Sequence, residues 1–410
     1  MIRLITGGLL AALSFAASAS VQSVATPGVW DLFSGSKKTG SYASIPACVA
    51  AAESAASAAK KSAKFSCRNS VTVAVTFKAD PLPPPPGPEP IPSPVTDHSG
   101  HGPAVDMSKL KTGWAGIGFE WVLPTSEQPL PTDDGAFRTV CEFTHMAKDD
   151  PIVFPAQPGK SHLHAFFGNP TTNAFSTIDS IMAAPTSACM GGTVNHTAYW
   201  QPAIIDTLDG SPVAPDDAIL YYKTGAAGNP KALIQAFPAG LRIVAGDATS
   251  FGPQDGISSY SCVRDGDPSM DGSQLYGKSI PNCPAGSRLW AAVKFPNCWD
   301  GKNLDSPNHK SHMSYVDWPT QKCPAAYPVP LPEIVITARY QVKEKDSPLR
   351  WRLASDMYDP ALPAGYSLHA DWLGGWKKDI MDAWVKGCDQ ASRDCHAHLL
   401  GDGRMLGGPR

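Results

Sequence analysis

Past its first two dozen residues the chain has no run of eighteen apolar residues, so no transmembrane helix is expected. It has no CxxC pair, and even Cys388 and Cys395 stand too far apart for a typical closed thiolate zinc site. No G-x-S-x-G elbow marks a serine hydrolase; "HSGHG" is not one. Lysine and arginine form no stripe that would suit nucleic acid, and no basic amphipathic helix suits a membrane surface. The formal net charge of −3 implies no strongly charged partner. Long amphipathic helical patterns are nearly absent, and there is no internal repeat.

What is present begins with a compartment. Arg3, the apolar run Leu4 to Phe15 and the small-residue stretch "AASAS" form a secretory signal pattern, residues 1–19, with cleavage after Ala19. The mature chain is therefore expected to be secreted: extracellular, or periplasmic in a Gram-negative host. Ten cysteines in an exported chain read as disulfides rather than as nucleophiles. Proximity suggests Cys262–Cys283, Cys298–Cys323 and Cys388–Cys395, and Cys48 could tie to Cys67.

Residues 26–78 read as a small α+β unit. An Ala-rich helix over "PACVAAAESAASAAKKSAK" precedes a strand over "SCRNSVTVAVTFKAD", and a unit so small needs a staple. Residues 79–108 read as a linker, because "PLPPPPGPEPIPSP" can neither pair as a strand nor continue a helix. As polyproline II it would span roughly 40 Å. His98 and His101 fall in this linker. From 109 to 400, short apolar runs such as "AILYYK", "RLWAAVKF" and "EIVITARYQV" alternate with Gly, Pro, Asn and Asp turns. That texture predicts a mainly β fold, an antiparallel β-sandwich or jelly-roll with few helices. One helix is expected over "WKKDIMDAWVKGCD", and residues 401–410 read as a flexible tail. A monomer is expected.

The histidines of the main domain suggest chemistry. "GKSHLHAFFGN" holds His162 and His164, which share a face if the segment is a strand. "SPNHKSHMSY" holds His309 and His312, three apart, although Pro307 and Asn308 favour a loop. "GYSLHADWLGGW" holds His369 and Asp371, a pair able to orient an imidazole or complete a metal shell. His145, His196, His396 and His398 read as ordinary structural residues. Asn195 starts an N-x-T sequon, relevant only in a glycosylating host.

"FPNCWDGKNLDSPNHKSHMSY" (295–315) resembles the core motif of the secreted domain of unknown function 1996 family, best known from fungi and also present in bacteria. "DPIVFP", "GKSHLHAFFGN", "TAYWQPAI", "IQAFPAGLRIVAGD", Cys323-Pro324 and "GYSLHADWLGGW" follow the family order, and the likeness spans roughly Thr112 to Cys388. The motif positions here are His162, His164, Asn169, Trp200, Arg242, Asp247, Cys298, Trp299, Asp300, Gly301, Asp305, His309, His312, Tyr315, His369 and Asp371. The resemblance implies an exported protein with an extracellular or cell-wall polysaccharide as partner, because such domains often sit beside wall-associated or carbohydrate-binding modules. After "HLH" the chain departs from the Gly-rich turn of many relatives, and a cysteine pair of fungal members is reduced to Cys189.

Three functions compete. In a polysaccharide-cleaving enzyme, His309 or His312 would be base, Tyr315 acid, and Arg242 or Asn169 would neutralise a sugar carboxylate. Hydrolysis would instead use two carboxylates from Asp300, Asp305 and Asp371. Trp200, Trp299 and Trp372 could stack on sugar rings. In a metal centre, His162, His164, His309, His312, His369 and Asp371 would supply ligands for a divalent ion, zinc or copper, with non-haem iron also accommodated. In a non-catalytic glycan-binding or envelope protein, Asp300 and Asp305 would hold turns.

Overall fold

The computed structural model describes residues 102–226, 228–266 and 277–408, together with the N-terminal strands and Cys48, Ala51, Ala52 and Ala55. The expected leader, most of the linker, His98 and His101 lie outside the described residues. The chain divides into two compact units, Met1–Pro92 and Ser93–Arg410.

In the first unit, strands β1 (Trp30–Ser34), β2 (Lys37–Tyr42), β3 (Ala63–Asn69) and β4 (Ala74–Ala79) pair antiparallel in the order β2-β1-β3-β4. The one strand expected over "SCRNSVTVAVTFKAD" is corrected to two partners, with Cys67 opposite Val75. Alternation runs through both arms, so the pattern hid the break. Cys48, Ala51, Ala52 and Ala55 are helical, and a disulfide joins Cys48 to Cys67.

The second unit is mainly antiparallel β. Its strands are β5 (Val122–Pro124), β6 (Leu130–Pro131), β7 (Ala136–Ala147), β8 (His164–Gly168), β9 (Ala198–Pro202), β10 (Ile204–Asp206), β11 (Ser211–Val213), β12 (Asp217–Lys223), β13 (Arg242–Gly246), β14 (Ser258–Val263), β15 (Arg288–Lys294), β16 (Cys298–Trp299), β17 (Met313–Ser314), β18 (Val329–Pro330), β19 (Glu333–Gln341), β20 (Trp351–Leu353), β21 (His369–Leu373), β22 (Arg393–Asp394) and β23 (Arg404–Leu406). The main sheet runs β13-β21-β9-β8-β7-β12-β19-β15-β14.

Strand β7 is the corner. Ala136–Glu142 pairs with β12, whereas Phe143–Ala147 pairs with β8 across an irregularity near Phe143 and His145. Strands that change partners at a bulge turn one sheet into two facing layers. A single core confirms the facing: Phe167, Tyr199 and Ile243 come from one half, and Leu220, Leu289, Ile336 and Tyr340 from the other. Strict alternation in β19 buries Ile334, Ile336, Ala338 and Tyr340. The outward face of the β8–β13 half carries a second cluster, where Phe166, Trp200, Val244 and Leu373 are covered by Ile152 and by Ile181 of the short helix Ile178–Met182. The candidate site lies on this face.

Two segments at the expected boundaries are ordered against the second unit. Linker residues 102–108 pack on the domain, with Asp106 N–H bonded to Gly210 O. The tail is not loose either: β23 pairs with β5 and buries Leu406, because an apolar Met-Leu pair finds a free strand edge. The expected C-terminal helix covers Lys378–Trp384 and closes in a wider turn, Val385–Asp389. Disulfides join Cys262–Cys283, Cys298–Cys323 and Cys388–Cys395. Cys189, read as the survivor of a lost pair, is joined to Cys141.

Candidate metal centre

His164 begins β8, and His162 lies two residues before it. His369 and Asp371 stand on β21, separated from β8 by β9. Period-two alternation turns His164, Phe166, Trp200, His369, Asp371 and Val244 to the same outer face. That face is sealed by the segment after β7, which contributes Asp149, Asp150 and Ile152.

Three imidazoles meet there. His162 Nε2 lies 3.1 Å and His164 Nε2 3.4 Å from His369 Nε2. Nδ1 of His164 donates to Asp149 O at 2.9 Å, and Nδ1 of His369 donates to Ser367 O at 2.8 Å. A carbonyl only accepts, so each Nδ1 carries the proton and each neutral Nε2 is left with a lone pair. The His164 and His369 lone pairs therefore face each other. Backbone carbonyls that fix the tautomer in this way are the usual outer partners of metal-binding histidines.

Protonation does not relieve the contact. Burial pushes the His369 imidazole down to about 3, aided by His164, against the opposing Ser367 carbonyl. Burial takes His164 down to about 4. His162 is held well below the usual range by burial and by the two neighbouring imidazoles.

Two carboxyls form a second triad with His164. Asp371 is fully buried and neither of its oxygens has a hydrogen-bond partner. Burial and the nearby Asp150 carboxyl raise its pKa well above the ordinary value. Asp150 is fixed by the N–H groups of Ile152 and Val153 at 2.9 and 2.8 Å. Ligand atoms of His162, His164 and His369 lie within 4.8 Å of one another, and so do those of Asp150, His164 and Asp371. Lone pairs facing one another beside a buried carboxyl without a protein partner make a donor set able to hold a divalent cation. His162 is half-buried, so the cluster meets solvent on that side.

The other sequence-predicted residues have partners elsewhere. His312 is 1% exposed and both its nitrogens are engaged, by Ser306 Oγ at 3.0 Å and Arg242 O at 2.7 Å. His309 Nδ1 bonds Asp305 at 3.0 Å, and Asp305 also takes Arg242 Nη1 at 3.1 Å. Burial opposes ionisation of Asp305, but His309, Ser306 N–H and Arg242 together hold its carboxyl below its ordinary range. These contacts make a latch for the loop and leave His309 and His312 outside the three-imidazole cluster. Tyr315 donates to Lys294 O at 2.9 Å, and burial lifts its hydroxyl above the ordinary value.

Asn169 is buried and satisfied by Ile181 O, His196 O and Thr171. Asp300 caps a turn by accepting N–H groups of Lys302 and Asn303. Trp299 donates to Asn303 O at 2.7 Å. Trp200 and Trp372 are core residues with no face free for a sugar, since alternation on central strands buries both.

Two residues near the cluster escaped sequence reasoning. Asp150 lies in "DPIVFP", where only its family position drew notice. Lys310 lies between the two motif histidines, and its Nζ reaches Gly246 O at 2.7 Å, across β13 from His369.

A family model described as a domain of unknown function (DUF1996) matches residues 150–376, more than half of the chain and a span that contains every residue of the cluster. No curated protein and no solved structure matches the chain. Among the described residues, no helix is long and apolar enough to cross a membrane.

Proposed function

The chain belongs to the DUF1996 family, and from that premise we propose that it is an exported metalloprotein with a mononuclear divalent centre. His162, His164 and His369 supply nitrogen and Asp371 supplies oxygen. One observation carries the proposal: Nε2 lone pairs converge beside a buried carboxyl without a hydrogen-bond partner. Three nitrogens and one oxygen suit zinc, with copper as the competing ion. The half-buried His162 gives the ion one side open to solvent. With a fifth position taken up on that side, an ion so held would polarise a carbonyl or activate water, so metal-assisted hydrolysis is the proposed reaction class. Five disulfides agree with an oxidising compartment and, with the leader pattern, support export.

Polysaccharide remains the proposed partner on the family association alone. Acid–base cleavage by His312 and Tyr315 is not carried forward, because their polar atoms already have partners, and His309 sits with Asp305 on the loop outside the cluster.

Elemental analysis of gently purified protein, and of apoprotein reconstituted with zinc or copper, tests the centre. One ion per chain is expected, held more weakly in His369→Ala. Protein that stays metal-free after reconstitution refutes it.

A further inference from the structure

Two lysines lie near the cluster, one following β7 and one on the loop that reaches β13. Lys148 follows Ala147, which pairs with His164 at the end of β7. Lys310 arrives from the opposite side, bonded at 2.7 Å to the carbonyl of Gly246, which pairs with His369. Both side chains are exposed. Among the described residues, neither ammonium forms an ion pair with a carboxylate. Neighbouring acids are occupied: Asp149 accepts the N–H groups of Gly159 and Ala174, and Asp305 is held by Arg242 and His309. The Gly246 carbonyl uses one of the three donors of Lys310 and leaves two.

We infer that this site takes an anionic ligand, bound at the metal through one oxygen or nitrogen and held by Lys148 and Lys310 from either side. The inference rests on the metal centre proposed above. It assigns the charge of the substrate, a carboxylate-, phosphate- or sulfate-bearing group at the reacting end. Charge recognition, expected from Arg242 or Asn169, moves to two residues that flank the imidazoles. Lys148 and Lys310 are specificity residues, because each touches the ligand and neither holds the ion.

Cobalt(II)-loaded protein offers a direct test. Azide and acetate serve as anionic probes and imidazole as a neutral one, each titrated against the visible cobalt bands. In Lys148→Ala/Lys310→Ala, azide and acetate affinity should fall about tenfold while imidazole affinity holds, since only the charged contacts are removed. Lys310→Arg should retain anion binding, and added salt should weaken anion binding in the wild type. Unchanged azide affinity in the double variant overturns the inference and leaves the metal centre standing. Parallel loss of azide and imidazole also overturns it, because the lysines would then support the fold alone. If no cobalt bands appear in the wild type, the metal centre fails and the inference fails with it.

Discussion

Replacing Asp371 with leucine should reverse in effect according to whether metal is bound. In metal-free protein the Asp371 carboxyl is fully buried and lacks any hydrogen-bond partner. An orphaned buried polar group of this kind costs about 1–3 kcal/mol. Leucine keeps the branched shape without the polar atoms, so Asp371→Leu should be at least as stable as wild type in chelator. With metal the order inverts. An ion that binds only the folded state at about 1,000 times its Kd adds about 4 kcal/mol. For a domain of this size that is a rise in Tm of roughly 8 °C, at about 2 °C per kcal/mol. The variant, left with three imidazoles, should show a small fraction of that rise. Thermal unfolding of both proteins, with disulfides intact, in EDTA and in excess zinc gives the four values needed. An equal zinc-induced rise in both proteins would refute the reasoning, because Asp371 would then lie outside the coordination shell.

The remaining predictions concern the loop and the core. His369→Ala should weaken zinc binding by more than the 10–100-fold typical of an outer partner, whereas His309→Ala should leave stoichiometry at one ion per chain; metal titration with a chromophoric chelator distinguishes them. Tyr315→Phe removes the bond to Lys294 O. It should cost about 0.5–1.5 kcal/mol in urea denaturation without changing metal content. Asp389 is buried with both carboxyl oxygens unpartnered, and burial raises it well above its ordinary 3.8. Its contribution to stability is whole below the unfolded value and is lost as pH rises through the higher folded value. Asp389→Asn should therefore gain on wild type between about pH 4 and the folded pKa, by about 1.4 kcal/mol per pH unit. A difference in stability that stays flat with pH would contradict this.

Sequence patterns carried the fold further than the site. Alternation in "EIVITARYQV" and "RLWAAVKF" marks β19 and β15 because each buries one face against one core. The corner at β7 was not legible, since a strand that changes partners midway keeps the same alternation throughout. For the site, spacing of two in "HLH" and "HAD" is informative because strands turn such residues to one face. Nothing in either segment says that β8 and β21 flank β9, and that sheet order is what brings His162, His164 and His369 together. The HxxH spacing of the central motif misleads for the opposite reason. In a loop anchored by Cys298–Cys323, His309 and His312 turn to Asp305 and to a backbone carbonyl. The residue between them, Lys310, reaches towards the cluster instead.

The central claim is tested most directly by X-ray absorption at the metal edge of zinc-reconstituted protein, compared with Asp371→Leu and His369→Ala. The account predicts one ion bound by three imidazole nitrogens at about 2.0–2.1 Å and one carboxylate oxygen at about 2.0–2.2 Å. Each variant should lose its own ligand from that shell. An ion surrounded by water oxygens alone, or a shell unchanged in both variants, would contradict it.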